Sequence, residues 1–468
     1  MVNEFSAEFE VFMAMVAKAF VRGPSVNVAR DMLIGLMAEL PRTNCWSIGE
    51  ARGYCSPDRM QNLLSRTVFD EDTARRDLRD YVVRNLGREN AVLVLDETGD
   101  VKKGKSTVGV ARQYTGTAGR VENAQVAVHL TWATSKGAAF IDAELYLPEE
   151  WTNDPARMKS AGVPDDVVFA TKPALAVNMI KKSLAAGIRP SRVTGDSVYG
   201  RSPRLREFLQ SENLPYVLEI ACDDVVATGG STVQAQRFAA SHSAVFHRIS
   251  AGAGTTGPRE FDWAFLDLRP PENAPGQFTL AVRRAITPKS PKKKPKQRRR
   301  TRSTAWSTKQ RPTTKTTPKP TAQNTSLSTP PEYETRYFLA WSPNPTPMAD
   351  LVHTAGTRWR IEECFQHGKE LAGLDEHQVL RWQSWHRWVL LSMLALAFLS
   401  VVNAINHPPR DGLAALTRNE IRRILTRLAW KITHTKAFTV AWVNWRLRRR
   451  HAATISHLKR ANANNQPP

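Results

Sequence analysis

The sequence predicts a mixed α/β (α+β) chain in which a sheet is flanked by helical ends and interrupted by a second, β-rich segment. Three observations predict it. Apolar residues recur at helical spacing near the N-terminus (Phe5, Phe9, Phe12, Met13, Val16, Phe20) and again from Met348 onward. Between them lie short runs with strand-like alternation, such as Val126, Val128, Leu130 and Trp132. Two strand-like runs, Ala91–Leu95 and Arg192–Gly195, each end directly in an aspartate.

Taken in order, residues 1–88 read as a helical domain, serving either DNA binding or plain packing. Ser56-Pro57-Asp58 gives a helix start, with serine as cap and proline at the first helical position. A charged helix, Asp70–Arg84, leads into AVLVLDETGD, residues 91–100. Its unbroken apolar run fits a strand buried on both faces. Asp96 then sits where the strand leaves the core, with Glu97 and Asp100 nearby. Buried carboxylates need cations or hydrogen bonds, so these acids are either solvated turn residues or part of a cation site. For the stretch alone, the turn reading is the better fit. Strands over Val108–Tyr114, Gln125–Thr134 and Ala138–Leu147 continue as an antiparallel meander. A helix (Pro173–Ala186), the strand ending at Asp196, a helix (Ser202–Gln210) and a strand (Tyr216–Ile220) complete residues 89–220. That order is the one found in a ribonuclease-H-like core with a mixed five-stranded sheet, whose first and fourth strands lie side by side. Asp96 and Asp196 would then approach each other.

Residues 221–287 read as a β-rich insertion, and 288–331 as a disordered Lys/Arg/Pro/Thr linker with little to bury. The core is expected to return over 332–410 with Glu362 on a helix, and 411–468 to form a basic helical end. The apolar stretch Trp388–Ile405 is about long enough to span a membrane. It stands alone and carries Ser392, Ser400 and Asn403, so a buried core helix fits it better. Thr417 to Glu420 makes a capping box before the next helix. The tail interleaves Trp442 and Trp445 with Arg446, Arg448, Arg449 and Arg450, which suits either packing on the body or gripping a nucleic-acid backbone.

The 468 residues carry a net charge of +22 with 41% hydrophobic composition, which points to a folded protein with a polyanionic partner. Thirteen of those charges fall between Lys289 and Lys319, a stretch without acids, leaving +9 elsewhere. The linker reads as a solvated tether or as a sequence-independent phosphate clamp, two readings compatible with each other. Four cysteines without a CxxC pair argue against a disulfide scaffold or zinc finger and suit a reducing cytoplasm. No Walker-A, HExxH or GxSxG motif offers a competing mechanism. Two aspartates at strand ends and a glutamate on a late helix meet the needs of two-metal phosphoryl transfer, with Mg²⁺ or Mn²⁺ held by carboxylate oxygens.

Four blocks carry a resemblance to a known family: LDETGDVKKGKSTVGVARQYTGTAGRVENAQVAV, LYLPEEWTNDPARMKSAGVPDDVVFATKPALA, VTGDSVYG and RWRIEECFQHGKELAGLDEHQVLRWQSWHRW. They closely resemble the IS701 family of DDE transposases, relatives of the IS4 group, across roughly 40–285 and 333–460. The resemblance implies a DNA transposase with Asp96, Asp196 and Glu362 as catalytic metal ligands for two Mg²⁺ ions. It also implies cleavage at inverted-repeat ends, strand transfer into target DNA, a homodimer on paired ends, and a bacterial cytoplasmic, nucleoid-associated setting without a membrane. Arg358, Glu362 and Lys369 match the IS4 spacing of Arg, three residues, Glu, six, Lys; the signature's tyrosine position is Ala355. Arg358 and Lys369 are therefore expected on end phosphates, and Lys102, Lys103 and Lys105 as further DNA contacts. Glu97 is expected to point away from Asp96, and Asp100 to lie in a turn. A nuclease that cuts without joining, or a DNA-binding remnant, are the alternatives. Trp263 in the insertion reads as a core residue rather than a hairpin-handling aromatic.

Overall fold

In the computed structural model, residues 2–229, 231–242, 244–254, 257–269, 275–288, 333–406 and 415–464 are described. Beyond Pro288, the linker expected over 288–331 lies outside them. Twelve strands occur among the described residues: β1 (Val92–Val101), β2 (Ala111–Thr115), β3 (Arg120–Thr134), β4 (Gly137–Tyr146), β5 (Arg192–Gly195), β6 (Tyr216–Ile220), β7 (Val225–Thr228), β8 (Ser231–Gln234), β9 (His247–Gly254), β10 (Gly257–Leu268), β11 (Gln277–Pro288) and β12 (Tyr333–Ser342).

The five strands expected of a ribonuclease-H-like core are present in the order β4-β3-β1-β5-β6. β3 is antiparallel to β1 and β4, whereas β1, β5 and β6 run parallel. The sheet does not stop there. β12 pairs antiparallel with β6, and β11, β10 and β9 follow, making ten strands in all. The segment after Ile220 therefore extends the central sheet through most of its strands. The physical reason is the edge of β6, whose unpaired backbone groups β12 satisfies. Only β7 and β8 form a separate hairpin.

β1 also differs from its expected length. It keeps pairing with the long β3 as far as Val101↔Ala124, so Asp100 lies on a strand and not in a turn. Gly99 permits this continuation, because a Cβ there would collide with Thr115 Oγ1. On the other side, pairing with β5 ends at Leu95↔Gly195. Asp96 thus follows a strand end on one edge only.

Trp382–Ile405 is the only helix among the described residues long and apolar enough to cross a membrane, and 83% of its apolar window is buried inside the protein. It packs against β4 and the helices Glu71–Leu86 and Gly23–Met37. Two arginines on Glu71–Leu86 tie that layer to the sheet. Arg75 and Arg79 donate to Asp142 of β4 at 2.6 and 2.7 Å, all three buried. The capping residues behave as their chemistry dictates: Asp70 accepts from Thr73 N, and Thr417 and Glu420 form the capping box of helix Arg418–Ile424. At Ser56 the cap shifts, with helix Asp58–Ser65 starting directly after Pro57. A second apolar cluster lies under the added strands and includes Trp263, Phe338 and Val352. Trp263 is 1% exposed there, a core residue.

Candidate active site

Register sets the first two carboxylates side by side. Leu95 and Gly195 are partners in the parallel ladder, so Asp96 and Asp196 each follow the last paired residue. Asp196 then caps the short helix Ser197–Gly200, accepting from Val198 N at 2.9 Å. Oxygens of Asp96, Asp196 and Glu97 all lie within 4.8 Å of one another. Alternation starts the Glu97 side chain toward the opposite face of β1. Because β5 has already ended, its long side chain still reaches the aspartates, contrary to the expectation that it points away. Lys172 Nζ holds it at 2.6 Å and the Tyr199 hydroxyl donates to it at 2.9 Å.

The helix Trp359–Ala372 closes the cleft. Ile361, Cys364, Phe365, Gly368 and Leu371 form its buried face, with the Phe365 ring 5.2 Å from His129 and 5.4 Å from Phe140. His129 is the β3 partner of Asp96, so this packing holds the helix above the aspartates. Glu362 lines the same cleft from an exposed position and stands outside the tight three-acid cluster. Arg358 bridges the two groups. Its Nη1 lies 3.0 Å from Asp96 Oδ2 and 3.5 Å from Glu362 Oε1, while Nε is 3.8 Å from Glu219. Glu219 is also paired with Arg336 at 2.8 Å.

Burial dominates the electrostatics. It pushes Asp96 up to about 8, reinforced by repulsion from Asp196, with Arg358 opposing. Burial likewise raises Asp196 to about 6, with Glu97 adding to it. Two acids held this high, Asp96 buried and Asp196 half-buried, mark a place where negative charge lacks compensation, which a divalent cation with oxygen ligands would supply. The donor set fits such an ion.

Lys369 lines the cleft, with Nζ 3.3 Å from Thr117 Oγ1. The lysines after β1 are not brought to it. Lys102 Nζ is 3.3 Å from His377 O, half-buried beside the Asp100–His377 pair at 3.1 Å. Burial would raise Asp100, but the His377 hydrogen bond together with the charges of His377, Lys102 and Lys369 holds the carboxyl below its ordinary value. Lys103 and Lys105 are exposed away from the carboxylates, and Ala355 is buried in the second cluster. Sequence reasoning missed Lys172, Tyr199, Glu219 and Arg336. Tyr199 alone left a sign, being three residues from Asp196 in a short helical turn.

Two family models cover this site between them. One described as DDE superfamily endonuclease matches residues 20–241 and takes in Asp96 and Asp196; one described as transposase DDE domain matches 166–398 and takes in Asp196 and Glu362. Both matches make the chain similar to DDE endonucleases and transposases. A probable transposase for insertion sequence element IS701 from Microchaete diplosiphon is 29% identical over 204 residues, covering 43% of this chain. Within this family likeness, the chain spans about half the length of that curated relative, at 50%. The DDE likeness implies use of a divalent metal, and the raised aspartates are the place that suits one.

Proposed function

We propose that the protein is an insertion-sequence transposase, cutting double-stranded DNA at inverted-repeat ends and joining the 3′-hydroxyl ends to target DNA. The observation that carries this reading is the ladder register placing Asp96 beside Asp196, facing a cleft that Glu362 shares. Asp96, Asp196 and Glu362 would hold two Mg²⁺ ions, with Glu97 positioned by Lys172 and Tyr199 behind them. When bound, the metal supplies Lewis-acid activation of the attacking oxygen and stabilisation of the leaving one.

The chain's own residues do the remainder. Arg358 carries three carboxylate neighbours and presents a guanidinium fork to a scissile-strand phosphate. Lys369 offers a second cation about three turns along the same helix. Lys103 and Lys105 would meet DNA outside the cleft, whereas Lys102 serves the Asp100–His377 pair. A homodimer on paired ends, acting at the bacterial nucleoid, completes the reading.

The test uses a supercoiled donor carrying the element's inverted repeats, incubated with the full chain and Mg²⁺. Joined products that vanish with Asp96→Ala and with Glu362→Gln support the proposal. Cutting without joining would assign the protein to nucleases, and binding without cutting to inactive remnants. Undiminished joining by Asp96→Ala would remove the assignment.

A further inference from the structure

Asp96 and Asp100 stand four residues apart on β1, so alternation puts both on the face covered by the Glu362 helix, about 13 Å apart along the strand. The helix is tied to β1 at each of these positions. At its N-terminus Arg358 reaches Asp96 at 3.0 Å. Beyond its C-terminus His377, five residues after Ala372, meets Asp100 at 3.1 Å. The His377 side chain is fully buried and that of Asp100 is 16% exposed. Held below its ordinary value, Asp100 is ionised at neutral pH and can only accept, so Nε2 carries the imidazole proton and donates it. Nδ1 has no partner among the described residues, which leaves Nε2 as the ring's one hydrogen-bonding atom. Two further bonds dock the same loop on the connection between β1 and β2. Lys102 Nζ donates to His377 O at 3.3 Å, and Val108 N to Leu380 O at 3.0 Å. Gln125, the β3 partner of Asp100, donates to Val108 O at 2.5 Å.

We infer that Asp100 and His377 are positioning residues, a clamp that fixes the height of Glu362 over Asp96. Between the two ties the helix meets the sheet through its apolar face, with Phe365 against His129 and Phe140. Apolar contact is non-directional and lets a helix slide or tilt, whereas a hydrogen bond to a charged group fixes both distance and angle. Apolar residues at 100 and 377 would cover the same face without a half-buried charge to compensate, so packing alone does not account for the pair. Glu362 has Arg358 as its ion-pair partner at 3.5 Å, too long for a hydrogen bond to hold it, so its place depends on the helix backbone. With the clamp removed, the helix pivots on Phe365 and Glu362 shifts against Asp96. This clamp deepens the transposase reading and rests on its assignment of Glu362 as a metal ligand.

Mn²⁺ binding by the full chain, without DNA, is titrated by electron paramagnetic resonance, and folding is followed by melting in EDTA. Asp100→Ala should weaken Mn²⁺ binding by about tenfold, the low end for a displaced outer-shell partner. His377→Ala should do the same, and the double variant no more, since both break one bond. Asp100→Asn keeps an oxygen to accept from Nε2 and should restore the affinity, although it removes the charge. Arg79→Met, at the buried pair with Asp142, should lower the melting temperature and leave Mn²⁺ binding unchanged. If Asp100→Ala does not fold, His377→Ala carries the comparison, because it leaves Asp100 beside Lys102. Unchanged Mn²⁺ affinity in His377→Ala would overturn the inference. So would equal losses in Asp100→Asn and Asp100→Ala, which trace the effect to charge, or a similar loss in Arg79→Met, which traces it to stability. Glu362→Gln separates the clamp from the reading it rests on. If that variant binds Mn²⁺ as the unaltered chain does, the ligand assignment fails and the clamp with it; if it binds weakly while Asp100→Ala does not, the clamp alone fails.

Discussion

Arg358 Nη1 lies 3.0 Å from Asp96 Oδ2, making this guanidinium the one cation paired with that buried acid among the described residues. It lowers the Asp96 carboxyl against burial and the repulsion of Asp196, but not enough to return it to its ordinary range. Arg358→Gln should therefore destabilise the metal-free protein at pH 8 by about 1.5–3 kcal/mol, the usual loss for a hydrogen bond to a charged group. Added Mg²⁺ should recover more of that loss than it contributes to the unaltered protein. Thermal unfolding with and without Mg²⁺ checks both parts, and an identical Mg²⁺ shift in the two proteins would contradict the shared role of Arg358 and cation.

The pH dependence has a definite sign. In the folded chain Asp96 rises from 3.8 to about 8, and Asp196 from 3.8 to about 6. Between about pH 4 and pH 8 the folded state binds more protons than the unfolded one, so stability falls as pH rises. Asp196 gives its share by about pH 6 and Asp96 continues to about pH 8. Below both ordinary values the penalty is gone. A divalent cation replaces those protons, so Mg²⁺ should raise the melting temperature little at acid pH and increasingly toward pH 8. Parallel melting curves with and without Mg²⁺ across that range would argue against a cation at the aspartates.

Local signals carried the two aspartates and the Glu362 helix. An apolar run ending in an acid needs no distant partner to be read, and neither does Arg–Glu–Lys spacing on one helix. The capping box at Thr417 was equally local. Glu97 was not legible, because strict alternation assumes neighbouring strands on both sides, and here β5 ends one residue too early. Asp100 was misplaced for the complementary reason: β3 continues beyond the apolar run and keeps β1 extended. The joining of β12 to β6 depends on pairing across more than a hundred residues, such as Tyr337↔Ile220, which no periodicity reveals.

β11 and β12 bracket the basic tract as a hairpin would. Their ladder continues outward to the pair Pro288↔Tyr333. Replacing residues 289–332 with a short Asn-Gly turn should thus leave the sheet intact, since the two ends already lie on adjacent strands. Shortening a connection also lowers its closure entropy cost, though only weakly with length. The melting temperature should stay the same or rise slightly. Non-specific DNA affinity should fall and depend less on salt, because thirteen Lys and Arg leave with the tract. A large loss of stability would show that the tract contributes to the fold.

Gly200 provides a test of how finely Asp196 is placed. It ends the short helix that Asp196 caps, and a Cβ at this position would overlap the carbonyl oxygen of Glu219 on β6. That neighbour is sheet backbone, so the helix must move instead. Gly200→Ala should cost about 1–3 kcal/mol of stability, typical of overpacking. The shift would carry Asp196 with it, and a displacement near 1 Å can cost on the order of a hundredfold in rate. DNA joining should consequently fall much further than stability, and the weakened Mg²⁺ shift in melting temperature should fall with it. Joining at the unaltered rate in a protein destabilised by that amount would show that Asp196 tolerates displacement, and would weaken its proposed role as a ligand.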